Sequence, residues 1–571
     1  MKRLAKYLKG FYKETVLGPL FKLLEASLEL IVPLIIASII DNGILTSDSS
    51  FVIKMSLLLV LLGAVGLIFS VTAQYFAAKA SVGFVAKVRR ALFVKVQTLS
   101  YTDLDNVGAS TVITRMTADC NKVQNGLNLT LRLLLRSPFV VFGAMIMAFF
   151  VDARSALSFA VVIPVLSVII FGIMLVSIPL YKRVQGHTDG LLSTTRQNLT
   201  GVRVIRAFCN ESTEEETFRK GNDLLTHAQK KVGRISALLN PLTYVVINLA
   251  ILWLIHTGAI RVSSGELTQG EVIALYNYMS QILVELIKLA NLIISITRAL
   301  ASASRIADVL DTKSTEKRGS ITNSSDSEYA VEFKAASLRY SGAGDESLRP
   351  LSFKARRGET IGIIGGTGSG KSTLVNMIPG FYPATSGEVL INGINVNDID
   401  KTALRESVGI VPQKAVLFKG SIRDNLRWRS ADATDEELEK ALTIAQAKAV
   451  VDDKGGLDAA VEQGGRNFSG GQKQRLTIAR ALVGDPKILI LDDSASALDY
   501  ATDASLRKSI KAIDGHPTVF IVSQRTSSVM HADKIIVLED GEAVGIGTHS
   551  ELLESCSVYK EIYDSQFGKE E

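Results

Sequence analysis

Cysteine is scarce: there are three in 571 residues, Cys120, Cys209 and Cys556, far apart and in no ligand-like spacing. An odd, scattered set excludes a disulfide framework and points to a reducing compartment. Charge is also thin. Asp, Glu, Lys and Arg make up 21% of the chain against 47% hydrophobic residues, which moves the composition toward the membrane class. The net charge of +6 is modest, and the basic residues gather beside apolar stretches, so nucleic acid is not the expected partner. No removable leader is expected either. The basic start, Met1-Lys2-Arg3, leads into an apolar run with no small-residue cleavage site, and that run is expected to remain as a span. A chain this long exceeds what one core organises, so two or more domains are expected.

Six apolar stretches lie before residue 305, at 16–40, 54–78, 131–151, 156–180, 241–260 and 272–296. Each is near the roughly 20 residues that carry a helix across a ~30 Å hydrocarbon layer. Pro33, Pro164 and Pro179 would kink such helices rather than end them. The N-terminus and the second-to-third and fourth-to-fifth connections are rich in Lys and Arg, including Lys87, Arg89, Arg90, Arg203 and Arg206. The other loops are short and nearly free of positive charge, with only Arg154 and Arg261. The positive-inside rule then puts both termini and both long loops in the cytoplasm, and the expected location is a bacterial plasma (inner) membrane.

Those long loops read as helices. Residues 79–100 contain no proline and repeat Val82, Val85, Val88, Leu92 and Val96 at helical spacing. About twenty residues would carry a span roughly 30 Å into the cytoplasm, with residues 103–108 as the turn at the far end. The second long loop has a similar interior at 197–206. Several polar residues fall inside the spans: Glu25, Glu29, Asn248, His256, Asn277, Glu285, Lys288 and Asn291. Such groups face a cavity or a partner because charge in hydrocarbon is expensive, and Glu285 and Lys288 are spaced to pair with each other. The domain plan is thus a membrane domain over 1–310, a Ser/Thr-rich linker over 311–329 and an α/β domain over 330–571.

The second domain carries Gly365-Gly366-Thr367-Gly368-Ser369-Gly370-Lys371-Ser372-Thr373, a phosphate loop between a strand-like 359–364 and a helix-like 372–377. Small residues let successive N–H groups turn toward a phosphate, and the helix N-terminus adds partial positive charge. Lys371 would reach the outer phosphates of a nucleoside triphosphate and the Ser372 hydroxyl would hold Mg²⁺.

Further motifs follow in order: Tyr340 upstream, Gln413 after a strand-like 408–410, and Ser469-Gly470-Gly471-Gln472 opening a helix. Apolar 488–491 ends in Asp492-Asp493 with Asp499 beyond it, and apolar 519–522 leads to Gln524. This ordered set resembles the nucleotide-binding domain of ABC transporters, and with six spans before it the chain resembles an ABC exporter half-transporter over nearly its whole length. The resemblance implies a six-span helical bundle followed by an α/β P-loop ATPase, working as a dimer with two ATP molecules between the two ATPase domains. It implies that Tyr340 stacks on adenine, that Lys371 clamps the outer phosphates, and that Ser372, Gln413 and Asp492 position Mg²⁺. It further implies that Ser469, Gly470, Gly471 and Gln472 meet the partner's nucleotide, with Asp499 nearby, and that residues 105–109 and 201–206 dock the ATPase domains.

Two positions depart from the family pattern. Active members carry Glu after the Mg²⁺-binding Asp and His at the end of the later strand; here Asp493 and Gln524 stand in those places. A carboxylate set back by roughly 1–1.5 Å can cost on the order of a hundredfold in rate. Gln524 donates a hydrogen bond but does not take a proton as His would. Lys371, Asp493 and Gln524 are therefore the catalytic candidates of a site expected to bind ATP and hydrolyse it poorly. The expected partner is a second, non-identical half-transporter, and the expected cargo is an amphipathic drug or lipid. The alternatives are a dedicated lipid or peptide exporter, or a regulatory membrane ATPase that moves nothing.

Overall fold

The computed structural model describes residues 2–315, 319–322 and 327–568; the expected linker therefore falls partly outside the described residues. The chain divides into two compact units. One comprises Met1–Gln97 with Ser110–Thr312, the other Thr98–Ala109 with Lys313–Glu571.

The first unit is helical. Among the described residues, six helical segments are long and apolar enough to cross a membrane: Tyr12–Ile44, Ser49–Gln97, Ala109–Val151, Ala153–Thr200, Glu211–Ser263 and Gln269–Asp311. Several run far beyond a bilayer's thickness, as the cytoplasmic-loop helicity predicts: Ser49–Gln97 is roughly 70 Å long at 1.5 Å per residue. In its apolar first part large side chains such as Leu57 and Leu67 point outward, the arrangement a lipid-facing helix requires, whereas Phe84 and Leu92 further along are buried. Pro33, Pro164 and Pro179 all lie inside continuous helices, as does Pro19.

Pro138 acts differently. The third span was expected as one run from 131; instead helix Cys120–Leu133 ends, a turn intervenes, and a new helix covers Arg136–Val151. Pro138 has no N–H for the Leu134 carbonyl and its ring would clash there, so the helix restarts.

The spans are tied by buried polar contacts as well as by packing. Arg136 contacts Glu29 at 2.5 Å and Glu285 at 2.5 Å, and Glu285 also accepts from Ser137 (2.8 Å) and Lys288 (2.9 Å). The first, third and sixth spans thereby share one charge network in which the expected Glu285–Lys288 pair is a single edge. Tyr278 OH donates to the Leu30 carbonyl at 2.7 Å, fixing the sixth span to the first again.

The second unit is an α/β fold. Strands β1 (Tyr329–Leu338), β2 (Leu348–Arg356), β4 (Ser386–Ile391) and β5 (Ile394–Asn395) form an antiparallel sheet in the order β2-β1-β4-β5. The larger sheet has the order β12-β11-β3-β10-β9-β6. It is built from β3 (Thr360–Gly365), β6 (Val408–Val411), β9 (Ile488–Asp492), β10 (Thr518–Val522), β11 (Lys534–Glu539) and β12 (Glu542–Gly547). A short pair, β7 (Gly420–Ser421) with β8 (Ala460–Val461), stands apart.

All neighbours in the larger sheet are parallel except β11 with β12. Central strands covered on both faces must be apolar throughout, and β9 and β10 are buried at every residue.

Residues 103–108 are not the simple turn expected. Tyr101–Val107 is a short helix with a capping box, in which the Ser100 hydroxyl accepts from Asp103 N–H and the Asp103 carboxylate accepts from Ser100 N–H. It belongs to the second unit. Tyr101 stacks on Phe381 at 4.3 Å, Tyr382 OH donates to Asp105 at 2.6 Å, and Thr315 N–H donates to Asp103 at 3.0 Å.

Candidate functional site

The phosphate loop joins β3 to helix Lys371–Met377, at the carboxyl end of a parallel sheet where α/β folds place ligands. The backbone requires glycine at its two ends. A side chain at Gly365 would lie 2.0 Å from the Leu538 carbonyl, and Gly370 has φ +94° as the cap of the helix. A Cβ at Gly366 or Gly368 would meet nothing, although Gly368, at φ +84°, also adopts the left-handed conformation that favours glycine. Lys371 Nζ curls over this loop, donating to the carbonyls of Gly365 (2.9 Å) and Gly366 (2.5 Å) and to Ser369 Oγ (3.3 Å). Burial pushes the Lys371 ammonium below its ordinary value, against the pull of Asp493 and Asp492. An anion in the loop would relieve that desolvation.

Ser372 Oγ donates to Asp492 Oδ1 at 3.0 Å, which brings two expected metal-site oxygens together from the two sides of the site. Burial raises the Asp492 carboxyl from its ordinary value, the Ser372 hydrogen bond opposes the rise, and neighbouring Asp493 adds to it. Gln413 Nε2 reaches Asp493 Oδ2 at 3.5 Å, a weak contact that puts both at the same edge. Oxygen donors of this kind suit a hard divalent cation. Asp493 sits at φ +47°, a left-handed conformation that Asp tolerates better than most residues, with its N–H donating to the Val522 carbonyl at 3.0 Å.

Gln524 follows β10 and is exposed; its carbonyl accepts from Gln566 Nε2 at 2.7 Å, and Gln566 Oε1 accepts from Thr526 N–H at 2.8 Å. The carboxy-terminal helix Ser557–Phe567 thereby clamps the backbone on both sides of Arg525. Tyr340 packs edge-on against Tyr382 at 4.9 Å and donates to Thr373 Oγ1 at 3.2 Å, at the back of the phosphate loop.

A separate group forms around Ser469. The Ser469 hydroxyl accepts from Gln472 N–H and the Gln472 side chain accepts from Ser469 N–H, a capping box that starts helix Gly470–Leu482. A Cβ on Gly471 would lie 2.9 Å from the Ala497 carbonyl, while Gly470 is open. Asp499 caps helix Tyr500–Lys511 by accepting from Thr502 N–H at 2.8 Å. Among the described residues no hydrogen bond joins Ser469, Gly470, Gly471 or Gln472 to the phosphate loop. The fold brings together residues 365–373, Gln413, Asp492 and Asp493, and leaves the Ser469 group as an exposed edge.

Sequence reasoning missed Arg136, Tyr382, Arg525 and Gln566. Arg136 carried a signal: with Arg132 it is one of two cations at the start of an apolar span. Arg525 donates to the carbonyls of Ser496 and Leu498, a backbone contact that no motif encodes.

A parallel-sheet ATPase with a phosphate loop, in one chain with six membrane-length helices, defines an ATP-driven membrane transporter. The sequence matches the ABC transporter transmembrane region over residues 15–286 and the ABC transporter domain over 348–496. It is 36% identical over its whole length to 99% of YfiB, an uncharacterized ABC transporter ATP-binding protein of Bacillus subtilis (strain 168). It is also 34% identical, over 99% of this chain and 97% of the relative, to an uncharacterized ABC transporter ATP-binding protein of Mycobacterium tuberculosis (strain ATCC 25618 / H37Rv). A solved bacterial Atm1-family ABC exporter with ATP bound shares the fold at a TM-score of 0.79 and 23% identity, over 98% of this chain and 99% of that one.

The chain belongs to the ABC transporters. It is a half-transporter of the exporter type, a multi-pass membrane protein with bacterial relatives, which binds ATP, couples its hydrolysis to transport and works with a second half.

Proposed function

We propose that this chain is one half of a heterodimeric exporter of amphipathic small molecules in a bacterial plasma membrane, and that its own ATP site is degenerate. The observation that carries the reading is the pairing of Asp493 and Gln524 at the ends of β9 and β10 with a regular Ser469-Gly470-Gly471-Gln472 element. The positive-inside pattern of the loops supports a cytoplasmic ATPase domain and cytoplasmic termini.

In this reading Gly365, Gly366, Thr367, Gly368, Ser369, Gly370 and Thr373 cradle the phosphates with their backbone. Lys371 leaves the loop carbonyls for the outer phosphates, and Tyr340 turns its ring to adenine. Ser372, Asp492 and Gln413 would hold Mg²⁺, which supplies charge neutralisation across the phosphates when bound. Asp493 is too short to place an attacking water well, and Gln524 hydrogen-bonds a phosphate without exchanging a proton. Ser469, Gly470, Gly471 and Gln472, with Asp499 beside them, complete the partner's site, where the faster hydrolysis takes place. The domains divide as 1–310, 311–329 and 330–571, and residues 105–109 and 201–206 carry motion between membrane and ATPase domains.

A second reading is a dedicated lipid exporter. It draws support from a relative named ATP-dependent lipid A-core flippase in Desulfotalea psychrophila (strain LSv54 / DSM 12343), 29% identical over 84% of this chain. Inverted vesicles containing this chain, alone and with the product of a neighbouring half-transporter gene, separate the readings. ATP-dependent uptake of a cationic dye only by the pair supports the first. Movement of fluorescent lipid without dye uptake supports the second, and transport by the single chain contradicts the heterodimer.

A further inference from the structure

A cavity of about 470 Å³ opens in the ATPase domain at the end of the sheet opposite the phosphate loop. Its walls include Gly358 and Thr360, at the start of β3, and Pro517 and Val519, at the start of β10, whereas the ATP-site residues follow the other ends of these parallel strands. The floor is apolar: Ile510, Val519 and Ile521 are all buried. That volume lies within the range of small-molecule sites.

One wall is a face of helix Tyr500–Lys511 that presents Ala504, Arg507, Lys508 and Lys511 at three- and four-residue spacing. Arg507 is largely covered, with its side chain 20% exposed, and its Nε lies 3.3 Å from Asp503. Its two terminal nitrogens and the ammonium groups of Lys508 and Lys511 have no partner among the described residues. His516 and His531 stand on the remaining rim.

The acidic groups nearby are already engaged. Asp503 accepts from Ser528 Oγ at 3.1 Å besides its contact with Arg507, and Asp533 accepts from Thr360 N–H at 2.8 Å. Around the cleft there are thus three cations and two carboxylates that have other donors, above an apolar floor. A carboxylate, sulfonate or phosphate monoester with a compact apolar body matches both features: the fork of Arg507 takes an oxyanion in bidentate fashion, and the body covers the floor.

We propose that this cleft is a binding site for a small organic anion, distinct from the ATP site and coupled to it. Coupling follows from the walls. Helix Tyr500–Lys511 begins at its cap Asp499, and helix Thr526–Val529, whose Ser528 lines the cleft, begins two residues after Gln524. A ligand that draws these helices together acts from behind on Gln524, at the edge of this chain's ATP site, and on Asp499, beside the Ser469 group, and ATP must then change the ligand's affinity by the same factor.

The test uses the full chain in lipid nanodiscs and equilibrium dialysis of radiolabelled 1-naphthoate, with empty nanodiscs subtracted. One saturable site is expected. Lys508→Glu with Lys511→Glu, both exposed positions, weakens binding at least tenfold, and Ala504→Trp, which fills the cleft without changing its charge, abolishes it. Both variants keep wild-type affinity for ATP without naphthoate, which shows that the domain is folded. ATP with Mg²⁺ shifts naphthoate affinity several-fold while leaving one site per chain. The proposal is overturned if 1-naphthylmethylammonium binds as well as naphthoate, if the charge reversal leaves dialysis unchanged, or if ATP displaces naphthoate one for one. ATP without effect on naphthoate affinity refutes the coupling.

Discussion

Replacing Asp493 by Glu, together with Gln524 by His, returns to this site the side-chain lengths and chemistry that active family members carry. Asp493 Oδ2 lies 3.5 Å from Gln413 Nε2, so the carboxylate is at the correct edge of the site and only its reach is in question. One added methylene moves the carboxylate forward by roughly 1.5 Å. A misplacement of about 1 Å costs on the order of a hundredfold, which corresponds to roughly 2.7 kcal/mol of barrier. The substitution also has a cost in the fold. Position 493 has φ +47°, and Glu lacks the local hydrogen bonding that lets Asp sit there, so up to about 1–2 kcal/mol of stability is lost. The expected result is a 10- to 100-fold rise in phosphate release by the purified chain at saturating ATP, with a small fall in the unfolding temperature. Phosphate release and thermal unfolding, measured on the same nanodisc preparations, separate the two effects. Fast hydrolysis by the wild-type chain alone, or no gain in the double variant at unchanged ATP affinity, would refute the reasoning.

The buried network of the spans yields a stability prediction. Glu285→Leu leaves the Arg136 guanidinium without its most buried partner and should cost about 3–5 kcal/mol, seen as a lower unfolding temperature in detergent, while adding Arg136→Met recovers most of it. Asp103 gives a pH signature. Its burial raises the carboxyl, but hydrogen bonds from Ser100 and Thr315 outweigh that and hold it below its ordinary value of 3.8. The stability this adds is fully present above that value and is lost as pH falls through the lower folded-state value, so the gap between wild type and Asp103→Asn should be constant near neutral pH and shrink as the pH falls below 3.8. A gap independent of pH would show that the carboxylate charge contributes nothing. Lys371→Ala should weaken ATP binding by at least about tenfold, since a buried charge-assisted contact is worth roughly 1.5–3 kcal/mol, while Gly365→Ala should disrupt the loop itself because of the Leu538 carbonyl. Tyr382→Phe removes the hydrogen bond to Asp105 and should lower stability by about 1 kcal/mol, read by thermal unfolding.

The amino-acid sequence by itself determined the class of each half of the chain. Apolar runs of membrane length need no tertiary information, because a helix in lipid satisfies its own backbone. The phosphate loop is equally local: its glycines, Lys371 and Ser372 lie within nine residues, and strand and helix flank them directly. The spacing of Asp492, Asp493 and Gln524 after apolar strands also put the departures from the family pattern in view before any fold was known.

Tertiary structure alone decided which distant groups meet. Arg136, Glu29 and Glu285 come from three spans separated by more than a hundred residues, and only packing turns three isolated charges into one network. The break at Pro138 and the helix at Tyr101–Val107 each depended on one local contact, a carbonyl clash and a capping box, that apolar periodicity does not register. Asp103 and Asp105 became part of the ATPase unit through Thr315 and Tyr382. The cleft behind the sheet was invisible for the same reason: its cations lie on one helix, but its floor comes from strands that neighbour each other only in the folded sheet. Short-range motifs are written along the chain because backbone geometry is local, whereas buried charge and cavities exist only once separate elements share a surface.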